Sequence, residues 1–540
     1  MKTVHVPGAR LLAAAAVALL MSCSRAPEAQ RTAGAAAAGA APAIQRHADS
    51  PGIDWFGGDV DAAFAAARTA RKPVLLYWGA SWCPPCQQLK ATIFSRPDFI
   101  AKSRLFVPVY LDGDGTGAQK WGEQFRVAGY PTLVVLDAER HEIMRIAGGM
   151  DLGAYASVLD TALAALEPAD TLLDAAAAGR ALNAGQCRRL AFNAWELEGG
   201  SDTDASDSAN LARRLGAAAG KCPADARIER ARLHIYGANY AARAEIKALE
   251  AGQTASAALQ AQIGAVDAVL NHERTALEVS DALQFLNEDF FRAVKVGYPL
   301  ANTWLSRFVK VMDAAAADPD YAEADQLGAI GSKLTAIKVI QGAIPAGAAR
   351  AANARVAAAL AGKQIPYVRS GIINAVLPIF EVLGQNAHAY KVVQGELAKT
   401  ATPYYYKADL GQLAEDLGRK DEALRWYAEG YAEASGPATR FQWGAIYASS
   451  LLRLQPNDAA RIQDVAGQVL GELDGPDRIY RRARMRLARL DKALRKWDAD
   501  TRGAHHQVIV GLRARMQQVC VKIPQGEPAR ANCDAFLASA

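Results

Sequence analysis

The sequence predicts a small α/β domain at residues 53–167, followed by a large all-α helical array at residues 168–540. In the first region, short apolar runs typical of buried strands alternate with segments of helical periodicity. The second region is rich in Ala, Leu and Arg at helical spacing and has almost no strand-like runs. Hydrophobic residues make up 51% of the chain and the net charge is only +5. We therefore expect a mostly helical soluble protein with no nucleic-acid partner.

An export signal is predicted at residues 1–22. Lys2 and Arg10 precede an apolar stretch at residues 11–21. This stretch is too short for a permanent transmembrane helix. The following Leu20-Met21-Ser22-Cys23 resembles a bacterial lipobox, in which cleavage before the cysteine is followed by its lipidation. The resemblance implies a membrane lipid anchor on the periplasmic side, and Ser24 instead of Asp favours the outer membrane over the inner. The alternative is an ordinary secretory signal peptide.

A flexible linker rich in Ala, Gly and Pro is predicted at residues 23–52. Beyond it, strands and helices alternate, and the last strands run antiparallel. Strands are predicted at 74–78, 105–111, 132–136 and 142–147, and helices at 60–71, 87–94, 118–125 and 152–166.

Two cysteines, Cys83 and Cys86, lie where a predicted strand ends and a predicted helix begins. The N-terminus of a helix favours the thiolate, which is the reactive form of cysteine. Cys83 is placed to attack a disulfide, and Cys86 is placed to resolve the mixed disulfide that results. Half of a zinc site is one alternative, but the chain has no second Cys pair of this spacing. An inert structural disulfide is the other.

The segment Trp82-Cys83-Pro84-Pro85-Cys86, with Gly129-Tyr130-Pro131-Thr132 further along the chain, resembles the thioredoxin superfamily. The resemblance implies a catalytic dithiol at Cys83 and Cys86, with no metal and no organic cofactor. It also implies that Pro131 is a cis proline and that Trp82, Tyr130 and Pro131 bind the substrate chain. Many members carry a buried carboxylate six residues before the first redox cysteine. Tyr77 occupies that position here, which implies either that another group or water moves the proton or that exchange is slower.

The direction of the reaction follows from the residues between the cysteines. Pro84 and Pro85 have no N–H group, and no His lies between the two cysteines, so the thiolate is weakly stabilised. A less stabilised thiolate gives a less oxidising pair. We expect a reductase or isomerase that acts on disulfide-bearing exported client proteins and takes electrons from a thiol donor at the inner membrane.

Four further cysteines remain after Cys23 and the redox pair are set aside: Cys187, Cys222, Cys520 and Cys533. An even number in an oxidising compartment predicts two structural disulfides. Of the three possible connectivities, sequence proximity favours Cys187–Cys222 and Cys520–Cys533. Four buried free thiols are the alternative.

The helical region carries one segment, 413–427, whose Leu-Gly, Ala-Leu and aromatic residues are spaced as in a tetratricopeptide unit. An irregular helical bundle is the alternative. A second functional hypothesis is a helical-repeat scaffold that binds a partner protein, with the α/β domain at residues 53–167, which we call the redox domain, as an accessory. The many arginines and lysines between residues 481 and 496 are interpreted as a solvated helix face rather than as a lipid-binding surface.

Overall fold

The computed structural model describes residues 44–45, 50, 52–147, 159–163, 167–195, 204–475 and 478–538. Cys23, the predicted export signal and most of the predicted linker lie outside these residues. The described chain consists of a mixed α/β sheet domain followed by a large all-helical region.

A four-stranded sheet of order β4-β3-β5-β6 forms the centre of the α/β domain. Strand β3 pairs in parallel with β4 and antiparallel with β5, and β5 pairs antiparallel with β6. A separate two-stranded antiparallel pair, β1 and β2, precedes it. The strands are β1 (Ile44–Gln45), β2 (Trp55–Phe56), β3 (Val74–Gly79), β4 (Val107–Asp112), β5 (Thr132–Leu136) and β6 (Glu142–Ala147).

Both faces of β3 are buried, which explains its continuous apolar sequence. Leu75 and Tyr77 belong to the hydrophobic core on one face, and Leu76 and Trp78 belong to the core on the other. Helices cover both faces of the sheet. They are α1 (Val60–Ala70), α2 (Pro84–Leu89), which continues into a π-helical turn (Lys90–Phe94), α3 (Pro97–Ser103), α4 (Ala118–Gln124) and α5 (159–163).

Strand β4 begins two residues later than the apolar pattern predicts. Leu105 is 50% exposed, and its N–H donates to the carbonyl of Lys102 at the end of α3. The N–H of Phe106 donates likewise to Ser103. These two residues therefore complete the C-terminus of the helix before the chain enters the sheet.

Within the described residues, the helical region has three hydrophobic cores, which follow one another along the chain. Most helices pack against helices one or two positions away in sequence. No helix within the described residues is long and apolar enough to cross a membrane. The helices are α6 (Ala169–Ala177), α7 (Ala184–Ala191), α8 (Ala205–Lys221), α9 (Arg227–Glu250), α10 (Ala257–Leu270), α11 (Glu273–Glu278), α12 (Ser280–Gln284), α13 (Glu288–Gly297), α14 (Ala301–Ala317), α15 (Glu323–Gln341), α16 (Ala346–Ala361), α17 (Pro366–Val382), α18 (Asn386–Glu396), α19 (Pro403–Asp416), α20 (Lys420–Glu433), α21 (Pro437–Leu454), α22 (Ala459–Gly471), α23 (Arg481–Asp500), α24 (His506–Cys520) and α25 (Pro528–Asp534).

Two disulfides join helices within the helical region. Cys187 of α7 is bonded to Cys222, the residue that follows α8. Cys520 at the end of α24 is bonded to Cys533 of α25. Each bond joins two points that are separated along the chain, so it limits the conformations open to the unfolded chain.

Candidate active site at the redox turn

The redox turn, residues 81–86, connects the end of β3 to the start of α2. Cys83 is the N-cap residue of α2 and Cys86 lies within its first turn. The two are joined by a disulfide with a Cα–Cα distance of 5.2 Å. The backbone N–H of Cys86 donates to Cys83 Sγ at 3.2 Å. Because Pro84 and Pro85 have no N–H, the amide of Cys86 is the donor that the first turn of α2 directs at this sulfur.

Tyr77, at the position where the superfamily often has a carboxylate, is part of an aromatic cluster. Its side chain is 0% exposed. The ring stacks on Tyr110 at 5.2 Å between centroids and meets the edge of Phe94 at 4.9 Å, with Trp55 at 5.9 Å. A carboxylate in these surroundings would be strongly disfavoured. At this position the chain therefore has an aromatic side chain packed among other rings.

Trp82 is covered by the helical region. Its indole Nε1 donates to the Thr439 hydroxyl at 2.6 Å. The ring meets Trp443 edge-on at 5.0 Å and stacks on Tyr405 at 6.2 Å. The redox turn consequently belongs to the same hydrophobic core as α19 to α24.

Thr439 also joins the loop after β4 to the helical region. Its N–H and its hydroxyl donate to the two carboxylate oxygens of Asp114, at 2.8 and 2.5 Å. Burial raises the pKa of Asp114, although the two hydrogen bonds from Thr439 act against that shift. Gly436 lies in the left-handed region at φ 85°, and a Cβ there would overlap the Asp114 carboxylate. The contact therefore requires glycine for two reasons.

The surface around Tyr130 is occupied by α23. The Arg482 guanidinium lies over the Tyr130 ring, 3.8 Å from its centroid, and Arg484 approaches Glu123 of α4 at 3.9 Å. Burial, and secondarily the nearby Arg482, lowers the pKa of Arg486. The interpretation of this basic segment as a solvated face is wrong for these arginines, because they face the redox domain. The peptide bond between Tyr130 and Pro131 is cis.

Helix α17, residues 366–382, also packs against α2. Gly371 of α17 lies so close to Gln88 that a Cβ would be 3.3 Å from its Oε1. Asn374 of α17 hydrogen-bonds to Tyr405, and burial raises the pKa of Tyr405 to about 12. Burial also raises the pKa of Asp409, one helical turn further along α19, to about 7. Asp409 is thus a carboxyl group that titrates near neutral pH, on the helix that contacts Trp82.

The consequence of these contacts is a redox disulfide that is almost completely covered. Cys83 is 2% exposed, Cys86 is 0% exposed and Trp82 is 8% exposed. The disulfide has the position and the helix N-terminus needed for thiol–disulfide exchange. The helical region provides part of this cover through its contacts with Trp82. Within the described residues, no group of three or more His, Cys, Asp or Glu side chains is arranged to hold a metal ion.

Several residues around the redox turn were not identified from the sequence, among them Thr439, Trp443, Tyr405, Asp114 and Arg482. All but Asp114 come from helices far away in the chain, and Thr439 lies 357 residues after Trp82. Their local sequence is that of ordinary amphipathic helices. The three consecutive tyrosines at 404–406 could have indicated a contact surface for the redox turn. Such a run is equally typical of a helical core.

Comparison with known proteins agrees with this geometry. Residues 60–163 match the family described as a thioredoxin-like domain. Over 111 residues the chain is 33% identical to the thiol:disulfide interchange protein DsbD of Cronobacter sakazakii, an alignment that covers 19% of each chain. It is 27% identical over 101 residues to the protein DsbD 2 of Pseudomonas aeruginosa, covering 18% of this chain and 17% of the relative. The chain therefore spans less than a fifth of the length of the curated relatives it matches.

Among solved structures, a thioredoxin from Thermus thermophilus is 25% identical and aligns over 21% of this chain and 88% of its own, with a TM-score of 0.19. The family match, together with the sheet and the redox turn, establishes a thioredoxin-like domain at residues 60–163.

Proposed function

Starting from the thioredoxin-like domain at residues 60–163, we propose that this protein is an exported thiol–disulfide oxidoreductase that reduces or isomerises disulfides of periplasmic client proteins. The observation that carries the proposal is the Cys83–Cys86 disulfide at the N-terminus of α2. A dithiol in this position exchanges with other disulfides without any cofactor.

The reaction begins from the reduced pair. The Cys83 thiolate attacks one sulfur of the client disulfide, forms a mixed disulfide and releases the other client sulfur as a thiolate. Cys86 then loses its proton and attacks Cys83 Sγ, which breaks the mixed disulfide. The client gains two electrons and two protons, and Cys83 and Cys86 are left as a disulfide. A thiol donor at the inner membrane returns the electrons.

The weak stabilisation of the Cys83 thiolate sets the expected direction. We expect the equilibrium with glutathione to give a reduction potential near those of isomerases or thioredoxins, about −180 to −270 mV. The physical reason is the single backbone donor, Cys86 N–H, at the Cys83 sulfur. A measured potential close to about −120 mV, typical of a strong periplasmic oxidant, would contradict a reductase or isomerase role.

The client proteins can be trapped with Cys86→Ala. This variant keeps the attacking cysteine but cannot resolve the mixed disulfide, so exported proteins should accumulate covalently on Cys83. The measurement is the appearance of larger species on a non-reducing gel, their release by a reductant and their identification by mass spectrometry. The matched control is the double variant Cys83→Ala/Cys86→Ala. If the same species appear with the control, the attachment does not involve Cys83 and the enzymatic proposal fails.

The envelope location rests on the leader at residues 1–22 and on the lipobox-like sequence that ends at Cys23. We propose that lipid on Cys23 anchors the protein on the periplasmic side, with the outer membrane favoured by Ser24. That position brings Cys83 and Cys86 into the compartment where structural disulfides such as Cys187–Cys222 persist.

A further inference from the structure

A groove of about 760 Å³ lies beside the redox turn, between the redox domain and the helical region. We call it the turn groove. On the redox side it is lined by Ser81, Trp82, Pro84 and Gln87, so residues on both sides of Cys83 form its wall. On the helical side it is lined by residues between positions 360 and 406.

A second cavity that borders Trp82 is nearly filled. It lies by Tyr130 and has a volume of only about 10 Å³, because Arg482 covers the Tyr130 ring. The turn groove is the larger of these two cavities. Its size falls within the range of about 300–1,000 Å³ that is usual for small-molecule sites and is far too small for a folded protein.

The charge of the turn groove is positive. Three cationic side chains line it, Lys363, Arg369 and Lys399, against the one carboxylate of Glu396. Arg369 donates to both oxygens of Glu396, at 2.8 and 3.2 Å, and Lys399 donates at 2.9 Å. Burial by itself would raise the pKa of Glu396, but these hydrogen bonds keep it below its ordinary value. Glu396 is thus ionised at neutral pH, and an excess of positive charge remains for a ligand.

We propose that the turn groove binds a small disulfide that carries carboxylate groups, such as the oxidised form of an acidic low-molecular-weight thiol. This inference rests on the function proposed above. The carboxylates lie against Lys363 and Lys399, and the disulfide lies beside Trp82 and Pro84, the two neighbours of Cys83. The Cys83 thiolate attacks one ligand sulfur and releases the first thiolate, and Cys86 then displaces the second. Each small disulfide becomes two thiols while the Cys83–Cys86 pair becomes a disulfide, so electrons and protons balance.

The test uses the reduced full-length protein and three small disulfides of similar length: dithiodipropionate, which is anionic, hydroxyethyl disulfide, which is neutral, and cystamine, which is cationic. The rate of Cys83–Cys86 oxidation is followed by quenching with acid, alkylating the remaining thiols and measuring the mass. In Lys363→Glu/Lys399→Glu, the rate with dithiodipropionate relative to hydroxyethyl disulfide should fall about tenfold, and the relative rate with cystamine should rise, because two charges reverse beside the ligand.

Lys391→Glu is the matched control, since Lys391 is an exposed lysine of α18 outside the turn groove. It should leave the rates with all three disulfides unchanged. Relative rates that are identical in the wild type and in the double variant would overturn the turn groove as a binding site while leaving the oxidoreductase proposal standing. Failure of all three disulfides to oxidise the wild-type pair would overturn both.

Discussion

Thr439→Asp is expected to increase the rate at which a bulky maleimide labels reduced Cys83 by at least about tenfold. In the wild type, Cys83 is 2% exposed. It belongs to the same hydrophobic core as Trp82 and the helices that contact Trp82. The Thr439 hydroxyl accepts a hydrogen bond from Trp82 and donates one to Asp114. The substitution places a second carboxylate against the partly buried Asp114 carboxylate, and like charges at that distance repel each other. The contact should open and leave the redox turn accessible.

The measurement is the second-order labelling rate of Cys83, determined by peptide mapping in the Cys86→Ala background. Thr439→Ser is the control, because a serine hydroxyl can still accept from Trp82 and donate to Asp114. It should label as slowly as the wild type. An unchanged rate in Thr439→Asp would mean that the helices do not restrict access to Cys83.

Tyr77→Asp restores the carboxylate that many thioredoxin-like proteins have, and we expect it to destabilise the redox domain severely. Tyr77 is completely buried and contacts the rings of Trp55, Phe94 and Tyr110. Removal of an aromatic ring from such a site usually costs about 3–5 kcal/mol of unfolding free energy. The new carboxylate would also be buried among rings, without water. A large fall in the thermal unfolding midpoint is the expected result.

Tyr77→Phe is the companion variant, because it keeps the ring and its packing. Its unfolding midpoint should lie much closer to that of the wild type than the midpoint of Tyr77→Asp. If Tyr77→Asp were as stable as the wild type and exchanged disulfides faster, the aromatic cluster would have no structural role and the proton route would depend on this position after all.

The redox turn and its strand–helix context are readable from the sequence because they are local. An apolar run, two cysteines and two prolines lie within 13 residues, and the chemistry of each follows from its neighbours. The alternation of strands and helices predicts the fold class of the redox domain for the same reason. The start of β4 was missed because Leu105 and Phe106 are apolar but are used to finish α3.

The cover over the redox turn could not be predicted, because it depends on contacts across hundreds of residues. Thr439 is 325 residues from Asp114. No periodicity in the helical region distinguishes a residue that packs on Cys83 from one that packs on a neighbouring helix. The position of the α23 arginines could not be predicted for the same reason. Their charge favoured a solvated face, whereas Arg482 lies over Tyr130.

The contact of Trp82 with Thr439, Trp443 and Tyr405 makes the helical region a tethered competitor for the redox domain. A protein client that approaches Cys83 has to displace a ligand that is part of the same chain and therefore present at high effective concentration. Its apparent affinity equals the affinity for the uncovered domain multiplied by the fraction of molecules that are open. Under the proposed function, a client that binds the helices preferentially in the open state would raise that fraction, whereas a disulfide protein without such binding would not. Selectivity would then arise from a latent catalyst that is released by its own substrates, rather than from the cysteines themselves.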